Sequence, residues 1–152
     1  MSADRYIVNV EAAIYNDDKW LVVKRSELEE HAPGTLALVG GKVEVASGGD
    51  DVLEDTLRRE VKEEVGIEVD AMDYLESKAF MTNDGQMVVD IVFLCRYKSG
   101  KSRCVDKDEV AEVHWVTASD IVGNQKAPGY LKQTIARAEE KRLARRTDVW
   151  RW

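Results

Sequence analysis

The nine residues from Arg59 to Ile67, which read REVKEEVGI, constrain this chain more than any other stretch. Leucine and valine recur at every fourth position from Leu53 to Val65, which predicts an amphipathic helix over these residues. Gly66 follows the last turn, where a glycine commonly ends a helix. At about 100° per residue, three glutamates fall on one arc of roughly 100° that borders the apolar stripe. They are Glu60, Glu63 and Glu64.

Three carboxylates on one arc repel each other, by about 0.2–0.5 kcal/mol per pair on an exposed helix and by more where they are partly buried. A divalent cation would offset this repulsion, because Mg²⁺ and Mn²⁺ prefer oxygen ligands. The alternative is a solvated helix face on which Arg59 balances the charge, since charge runs on helices are usually exposed. The helix taken alone leaves both interpretations open.

Read with Gly40 and Gly41 upstream, this stretch resembles the Nudix box, usually written G-x5-E-x7-R-E-U-x-E-E-x-G-U, where U is a bulky aliphatic residue. The second half matches at every fixed position. The first half differs, because Gly41 and Arg59 are 18 positions apart, four more than in the pattern. The extra residues fall in the loop-like stretch from Val45 to Asp50, and Asp51 stands where the pattern has its first glutamate.

The resemblance implies a Nudix hydrolase, an enzyme that acts on a nucleoside diphosphate linked to another moiety. It implies Mg²⁺ or Mn²⁺ as the cofactor, held by the carbonyl of Gly40 and by the carboxylates of Glu60, Glu63 and Glu64. One of these glutamates would be the general base, and the resemblance does not say which. Divalent ions would neutralise the phosphate charge and lower the pKa of a bound water.

The resemblance also implies a role for an arginine and for a later acidic loop. Arg59 would orient a glutamate of the helix rather than the substrate. Asp51 would take the place of the residue that pairs with this arginine, although its side chain is one methylene shorter. A further metal ligand is expected on a later loop, where Asp108 and Glu109 are the candidates and Glu109 is preferred. The alternative for this pair is a solvated acidic turn.

Upstream of the box, alternating apolar segments predict a β-hairpin made of Tyr6–Tyr15 and Trp20–Arg25. Lys24 and Arg25 end the second strand. They are either a solvated strand end or, as the resemblance favours, a basic contact to the substrate phosphates, for which the bidentate geometry of arginine is better suited. A short strand over Thr35–Val39 then leads into the glycine pair. Glycine at these positions lets the backbone approach a ligand closely, and the alternative is a plain turn.

Downstream, the sequence predicts three more strands, one helical turn and a last helix. The predicted strands are Ile67–Phe80, which is irregular at residues 70–73, Met87–Tyr97 and Val113–Val116. A turn at Asn83–Gly85 precedes the second strand, and an acidic loop over Asp106–Glu112 precedes the third. The helical segments are Ala118–Val122 and residues 128–146, and the longer one has Leu131, Ile135 and Leu143 on one face. We therefore expect one α/β domain over residues 1–152, with a mixed sheet between two helices. This order is similar to the Nudix α/β/α sandwich.

Charge and composition restrict the partners and the location. The net charge of −7 argues against binding a nucleic-acid polymer or an anionic membrane, but a metal would still allow a small anionic nucleotide. The start of the chain has no apolar targeting core, and two cysteines give no disulfide framework, so we expect a cytoplasmic protein. Trp150 and Trp152 pack either on a partner subunit, as in a homodimer, or back on the fold.

The substrate is inferred only by elimination. Thr82 stands near the place of the proline expected in ADP-ribose hydrolases, and Asn83–Gly85 near that of the aromatic residue expected in dinucleoside polyphosphate hydrolases. A nucleoside triphosphate or its oxidised form, as in the MutT-like branch, is therefore favoured. An ADP-ribose or nucleotide-sugar pyrophosphatase, a nucleotide-binding domain without catalysis, and an interaction module are the alternatives. Four large side chains are interpreted as core residues rather than as base-stacking groups: Phe80, Met81, Trp20 and Trp115.

Overall fold

The computed structural model describes residues 5–44 and 48–148. Its elements are β1 (Tyr6–Asn16), β2 (Lys19–Arg25), β3 (Leu36–Ala37), β4 (Val39–Lys42), α1 (Val52–Val65), β5 (Glu68–Met81), β6 (Met87–Ser99), β7 (Val110–Thr117), α2 (Ala118–Val122) and α3 (Gly129–Asp148). None of the helices in the described part of the chain combines the length and apolar character needed to cross a bilayer.

The strands form one mixed sheet with the order β3-β2-β1-β6-β5, to which β4 is added through β1 and β7 through β2. β1 is parallel to β6, from Tyr6 opposite Met87 to Tyr15 opposite Arg96, whereas the other pairs are antiparallel. The predicted hairpin of β1 and β2 and the predicted hairpin of β5 and β6 are both confirmed.

Helices cover both faces of the sheet. On one face, α1 contributes Leu57, Val61 and Val65 to a core shared with β1. On the other face, α2 and α3 pack against a second core that includes Leu131 and Ile135. The α/β/α sandwich with a mixed sheet is therefore confirmed.

The box helix ends as its sequence predicts. Gly66 has a φ of 75°, and its N–H donates to the carbonyls of Val61 and Lys62. This left-handed conformation carries little steric cost for glycine, so the helix ends and β5 begins two residues later. At the other end, Asp51 is the N-terminal capping residue, but its side chain makes no capping hydrogen bond.

Three boundaries or packing predictions are wrong. The strand predicted over Thr35–Val39 is two strands, β3 and β4, and the glycine pair lies inside β4, which pairs with β1. β7 begins at Val110, because its pairing with β2 extends to Arg25, so the acidic loop is shorter than predicted. Leu143 is 48% exposed rather than part of the buried face of α3, because the core contacts of that helix end near Ala138.

Some predictions fall outside the described residues. Trp150 and Trp152 lie there, as do Val45, Ala46 and Ser47 of the inserted stretch. Two of the four large side chains interpreted as core are instead on the surface: Phe80 is 39% exposed and Met81 is 63% exposed. Trp20 is fully buried, as predicted.

Candidate active site

Three carboxylates converge where the box helix meets the loop before β7. Glu60 and Glu64 lie one turn apart on α1, and Glu109 is the last residue before β7. One carboxylate oxygen from each lies within 4.8 Å of the other two. The carbonyl of Glu109 accepts a 2.9 Å hydrogen bond from the N–H of Ser26, which ties this loop to the end of β2. The fold therefore brings a late loop residue to the helix glutamates.

Burial makes the charged form of Glu64 unfavourable. Glu64 is only 8% exposed, and its Oε2 atom has no hydrogen-bond partner among the described residues. Burial, together with the neighbouring Glu109 and Glu60, raises the pKa of Glu64 to about 9. Burial also raises the pKa of Glu60, against the opposing effect of Arg59. Isolated buried carboxylates of this kind are costly.

A divalent cation fits this donor set. All three groups offer carboxylate oxygens, which are the ligands that Mg²⁺ and Mn²⁺ prefer. The Oε2 atom of Glu64 is available for coordination because no described residue satisfies it. A cation bound there would reverse the local electrostatics and favour the ionised carboxylates. Glu60, Glu64 and Glu109 are therefore the residues that could hold a metal.

Arg59 and Glu63 lie at the solvent side of this cluster. Arg59 Nη1 is 3.3 Å from Glu60 Oε1 and 3.4 Å from Glu63 Oε2. The Glu63 side chain is 57% exposed and is not in the three-carboxylate group. The carboxyl group of Glu44 is near enough to raise the pKa of Glu60. The arginine thus contacts glutamates of its own helix, and Glu63 stands beside the group rather than within it.

The two glycines of β4 face different neighbours. A Cβ atom on Gly41 would lie 2.5 Å from Cδ of Glu60, whereas one on Gly40 would lie 2.1 Å from the carbonyl oxygen of Val10. Gly40 pairs with Glu11 in β1. The resemblance to the Nudix box implies that the carbonyl of Gly40 binds the metal. The glycine whose missing side chain makes room for a glutamate is Gly41. Both positions require glycine because of close approach.

The two basic residues at the end of β2 differ in their surroundings. The strand has an irregularity between Lys24 and Arg25, which redirects the second side chain. Lys24 Nζ is 3.4 Å from Glu112 on β7. Arg25 donates from Nε to the carbonyl of His31 at 3.0 Å, and its positive charge lowers the pKa of Glu64. Of the two, Arg25 is the one directed toward the carboxylate cluster.

Sequence reasoning missed a second pair of acids, Glu11 in β1 and Asp90 in β6. Asp90 is 1% exposed and accepts a 2.8 Å hydrogen bond from Asn9 Nδ2. Burial and a hydrogen bond to Asp90 raise the pKa of Glu11 well above its usual range. The available signal was a single acidic residue inside each of two strongly apolar strands, because such a residue is rarely buried without a purpose.

An α/β/α sandwich with a glutamate cluster on the helix after a glycine pair defines the class of metal-dependent Nudix proteins. A model of the NUDIX domain matches residues 5–137, and the chain belongs to this family of hydrolases. The resemblance inferred from the box is therefore confirmed.

Relatives with known sequences and structures agree with this assignment. The chain is 33% identical over 120 residues to the NAD-capped RNA hydrolase NudC of Vibrio vulnificus, covering 78% of this chain and 41% of the relative. Its structure is similar to a MutT NUDIX hydrolase from Burkholderia pseudomallei, with a TM-score of 0.74 and 25% identity over 88% of this chain and 98% of the other. A MutT protein from Methanosarcina mazei Go1 gives 0.74 and 26% over 93% and 99%. The chain spans about two fifths of the length of the curated relatives it matches.

Proposed function

We propose that this chain is a divalent-metal-dependent hydrolase that cleaves a phosphoanhydride bond in a nucleoside diphosphate linked to another moiety. The observation that carries the proposal is the convergence of Glu60, Glu64 and Glu109 within 4.8 Å, with an unpartnered oxygen on the buried Glu64. Charge repulsion and burial make this arrangement unfavourable without a cation. The NUDIX family match supports the same reaction class.

Each residue of the site has a distinct role in this proposal. Glu60, Glu64 and Glu109 hold Mg²⁺ or Mn²⁺, with the carbonyl of Gly40 as a further ligand. When bound, such a cation neutralises phosphate charge and lowers the pKa of water. One of the helix glutamates, with Glu63 included among the candidates, accepts the proton of the attacking water.

The two arginines act on either side of the carboxylates. Arg59 contacts Glu60 and Glu63 at 3.3 and 3.4 Å, which supports a role in orienting them. Arg25, whose Nη2 also lies 3.2 Å from Glu29 Oε2, is the better of the two basic residues for the substrate phosphates, because its positive charge acts on Glu64 of the cluster. A planar guanidinium can bind two phosphate oxygens at once, and an ammonium group cannot.

For the substrate we propose a nucleoside triphosphate or its oxidised form. The MutT proteins with similar structures support this choice, as does the absence of the sequence features of other branches. A second candidate comes from the NudC relative, whose name describes a hydrolase of NAD-capped RNA. The net charge of −7 disfavours a long RNA chain, so the small dinucleotide itself is the form we would test.

The test is a panel of compounds assayed with Mg²⁺, with Mn²⁺ and with a chelator. The panel contains the four nucleoside triphosphates, the 8-oxo-guanine nucleoside triphosphate, NADH, ADP-ribose and a nucleotide sugar. The readout is the released nucleoside monophosphate. We expect metal-dependent release from at least one compound, which Glu64→Gln reduces about 100-fold or more. Asp55→Asn on the exposed side of the same helix is the matched control. Release that persists in Glu64→Gln, or none from any compound, would exclude the proposal.

A further inference from the structure

An exposed pair of aromatic rings joins the loop after β2 to the end of β5. The rings of His31 and Phe80 are stacked, with centroids 6.2 Å apart and planes 10° apart. Phe80 is 39% exposed, and His31 is exposed as well. Large aromatic side chains usually bury their rings in a core or against a partner. A stacked pair that stays open to solvent is therefore a candidate binding surface.

Phe80 lies on the face of β5 that α3 packs against. Side chains of alternate residues point to the same face of a strand, so Glu76, Lys78 and Phe80 share this face. The first two contact the helix, since Thr134 donates to Glu76 at 3.3 Å and accepts from Lys78 at 3.2 Å. Phe80 is the next residue on this face, and its ring contacts His31 of the loop. The aromatic pair therefore stands beside the residues that the helix binds.

The loop that carries His31 is held by its own hydrogen bonds. Arg25 donates from Nε to the carbonyl of His31 at 3.0 Å, and its backbone bonds with Gly34 and Thr35 at 3.0 and 2.8 Å. Thr35 Oγ1 donates to the carbonyl of Ala32 at 2.7 Å. These bonds close the base of the loop and fix the backbone of His31 without the ring contact. The exposure of the ring pair is therefore not explained by a need to hold the loop.

The end of β2 connects the aromatic pair to the carboxylate cluster. Arg25 lies opposite Val110 of β7, and the N–H of Ser26 donates to the carbonyl of Glu109 at 2.9 Å. The backbone of Arg25 is thus beside the loop that carries Glu109, while its side chain reaches His31. In a nucleotide, one sugar joins the base to the phosphates. A nucleotide with its phosphates at the cluster would therefore have its base within reach of the aromatic pair.

The chemistry of this surface selects a planar heterocycle. A base that stacks on an aromatic ring is bound whatever hydrogen-bonding groups it carries, because every base has a π face. A purine has two fused rings and covers more of an aromatic surface than a pyrimidine does. A sugar phosphate without a base gains nothing from such a surface. The aromatic pair therefore favours recognition of a purine by stacking.

We propose that His31 and Phe80 form the base-stacking surface for a purine nucleotide substrate. They contact the base and take no part in bond cleavage. The inference rests on the proposed function only for the position of the phosphates. It selects purine nucleotides from the proposed class of triphosphates.

Proton NMR of the original chain tests the contact, because the sequence has only two histidines, His31 and His114. We expect the ring protons of His31 to shift when GMP or AMP is titrated in the presence of Mg²⁺, and those of His114 on β7 to stay unchanged. These monophosphates have no phosphoanhydride bond to cleave. Ribose 5-phosphate, which has the phosphate but no base, should shift the His31 signals much less. The variant His114→Gln assigns the two sets of signals.

Calorimetry measures the contribution of Phe80 to affinity. The original chain should bind GMP and AMP more tightly than UMP. Phe80→Leu should weaken the binding of both purines about tenfold, because it removes a stacking ring, and should change ribose 5-phosphate binding by less than about twofold. Phe80→Trp keeps an aromatic ring and should retain the purine affinity within about threefold. Tyr74→Leu, at a 54% exposed position of the same strand, is the matched control and should behave as the original chain.

Three results would overturn the proposal. They are no His31 shift with either purine or a shift that ribose 5-phosphate reproduces in full, purine affinity that Phe80→Leu leaves unchanged, and affinity for UMP equal to that for GMP and AMP. If thermal melting shows that Phe80→Leu is unfolded, the NMR titration of the original chain decides. Purine stacking without hydrolysis of any compound in the panel would contradict only the proposed function, and hydrolysis without a base contact at His31 would contradict only this inference.

Discussion

Gly41 of β4 is packed directly against the carboxyl group of Glu60 on α1. A Cβ atom on this glycine would lie 2.5 Å from Cδ and 2.8 Å from Oε1 of the glutamate. Real Cβ atoms do not approach other atoms so closely, so the absence of a side chain at Gly41 sets the position of the Glu60 carboxylate. The glycine pair and the box helix are therefore one structural unit.

Replacing Gly41 by alanine should displace Glu60 from the carboxylate cluster. We expect kcat/KM to fall about tenfold or more and the affinity for Mg²⁺ to weaken, because misplaced ligands lose coordination and orientation. Steady-state kinetics and calorimetric Mg²⁺ titration measure both effects. Gly49→Ala is the control, since a Cβ there meets nothing within 4 Å. Equal activity in the two variants would show that the contact has no functional consequence.

The raised pKa of Glu64 predicts how the stability of the metal-free protein depends on pH. The folded chain keeps this proton up to about pH 9, whereas the unfolded chain releases it near the ordinary value of 4.5. Between these values the unfolded state binds fewer protons, so the free energy of unfolding should decrease as pH rises, by at most about 1.4 kcal/mol per pH unit. Chelator-treated protein should therefore become less stable from pH 5 to pH 9.

Urea denaturation of the metal-free protein at several pH values gives this measurement. Glu64→Gln, which cannot ionise, should show a weaker decrease than the original chain, and the difference between the two is the contribution of this carboxyl group. Added Mg²⁺ should reduce the decrease, because a cation favours the deprotonated form. Identical slopes for the original chain and Glu64→Gln would contradict a raised pKa at this position.

The two neighbouring acids of the loop before β7 should differ in their effect on metal binding. Glu109 belongs to the cluster, whereas the adjacent Asp108 is exposed. We expect Glu109→Gln to weaken Mg²⁺ affinity about tenfold or more, because it replaces one anionic ligand by an amide. Asp108→Asn removes the same charge at the next position and should change the affinity by less than about twofold. If Asp108→Asn weakened Mg²⁺ affinity more than Glu109→Gln, Glu109 would not be a metal ligand.

The two basic residues at the end of β2 should also differ in their effect on KM. Arg25→Ala should raise KM about tenfold or more with a smaller effect on kcat, since it removes a bidentate contact to phosphate. Lys24→Ala should change KM by less than about threefold, because its ammonium group lies 3.4 Å from Glu112 on β7, whereas the charge of Arg25 acts on Glu64 of the cluster. Steady-state kinetics on the substrate found in the panel gives both values. A larger increase in KM for Lys24→Ala than for Arg25→Ala would show that Lys24, and not Arg25, binds the substrate phosphates.

Local features of the fold were predictable because their causes are local. The stripe of Leu57, Val61 and Val65 and the glycine after it define both the buried side and the end of α1, and all of these are within one helix. The hairpin turn at residues 83–85 depends on the left-handed φ of 85° at Gly85, which its glycine supplies. Both elements are found where the sequence places them.

Features that depend on pairing between distant strands were not predictable. The glycine pair is in a strand only because β1 pairs with it, and β7 begins early only because β2 continues beside it. Glu11 and Asp90 meet because β1 and β6 are parallel neighbours, and no periodicity within either segment reports that pairing. The placement of Glu109 beside Glu60 likewise requires the whole sheet, so its candidacy came from family resemblance.

The parallel pairing of β1 with β6 has a consequence for biosynthesis. Asn9 and Asp90, which lie at the same level of this pair, are separated by 81 residues along the chain. A nascent chain therefore carries an unfinished central strand until β6 has left the ribosome, and the entropy of closing so long a loop slows this step. Until then the open edge of β1 can pair with other strands, so co-translational chaperones would act on this protein mainly during synthesis of its first hundred residues or so.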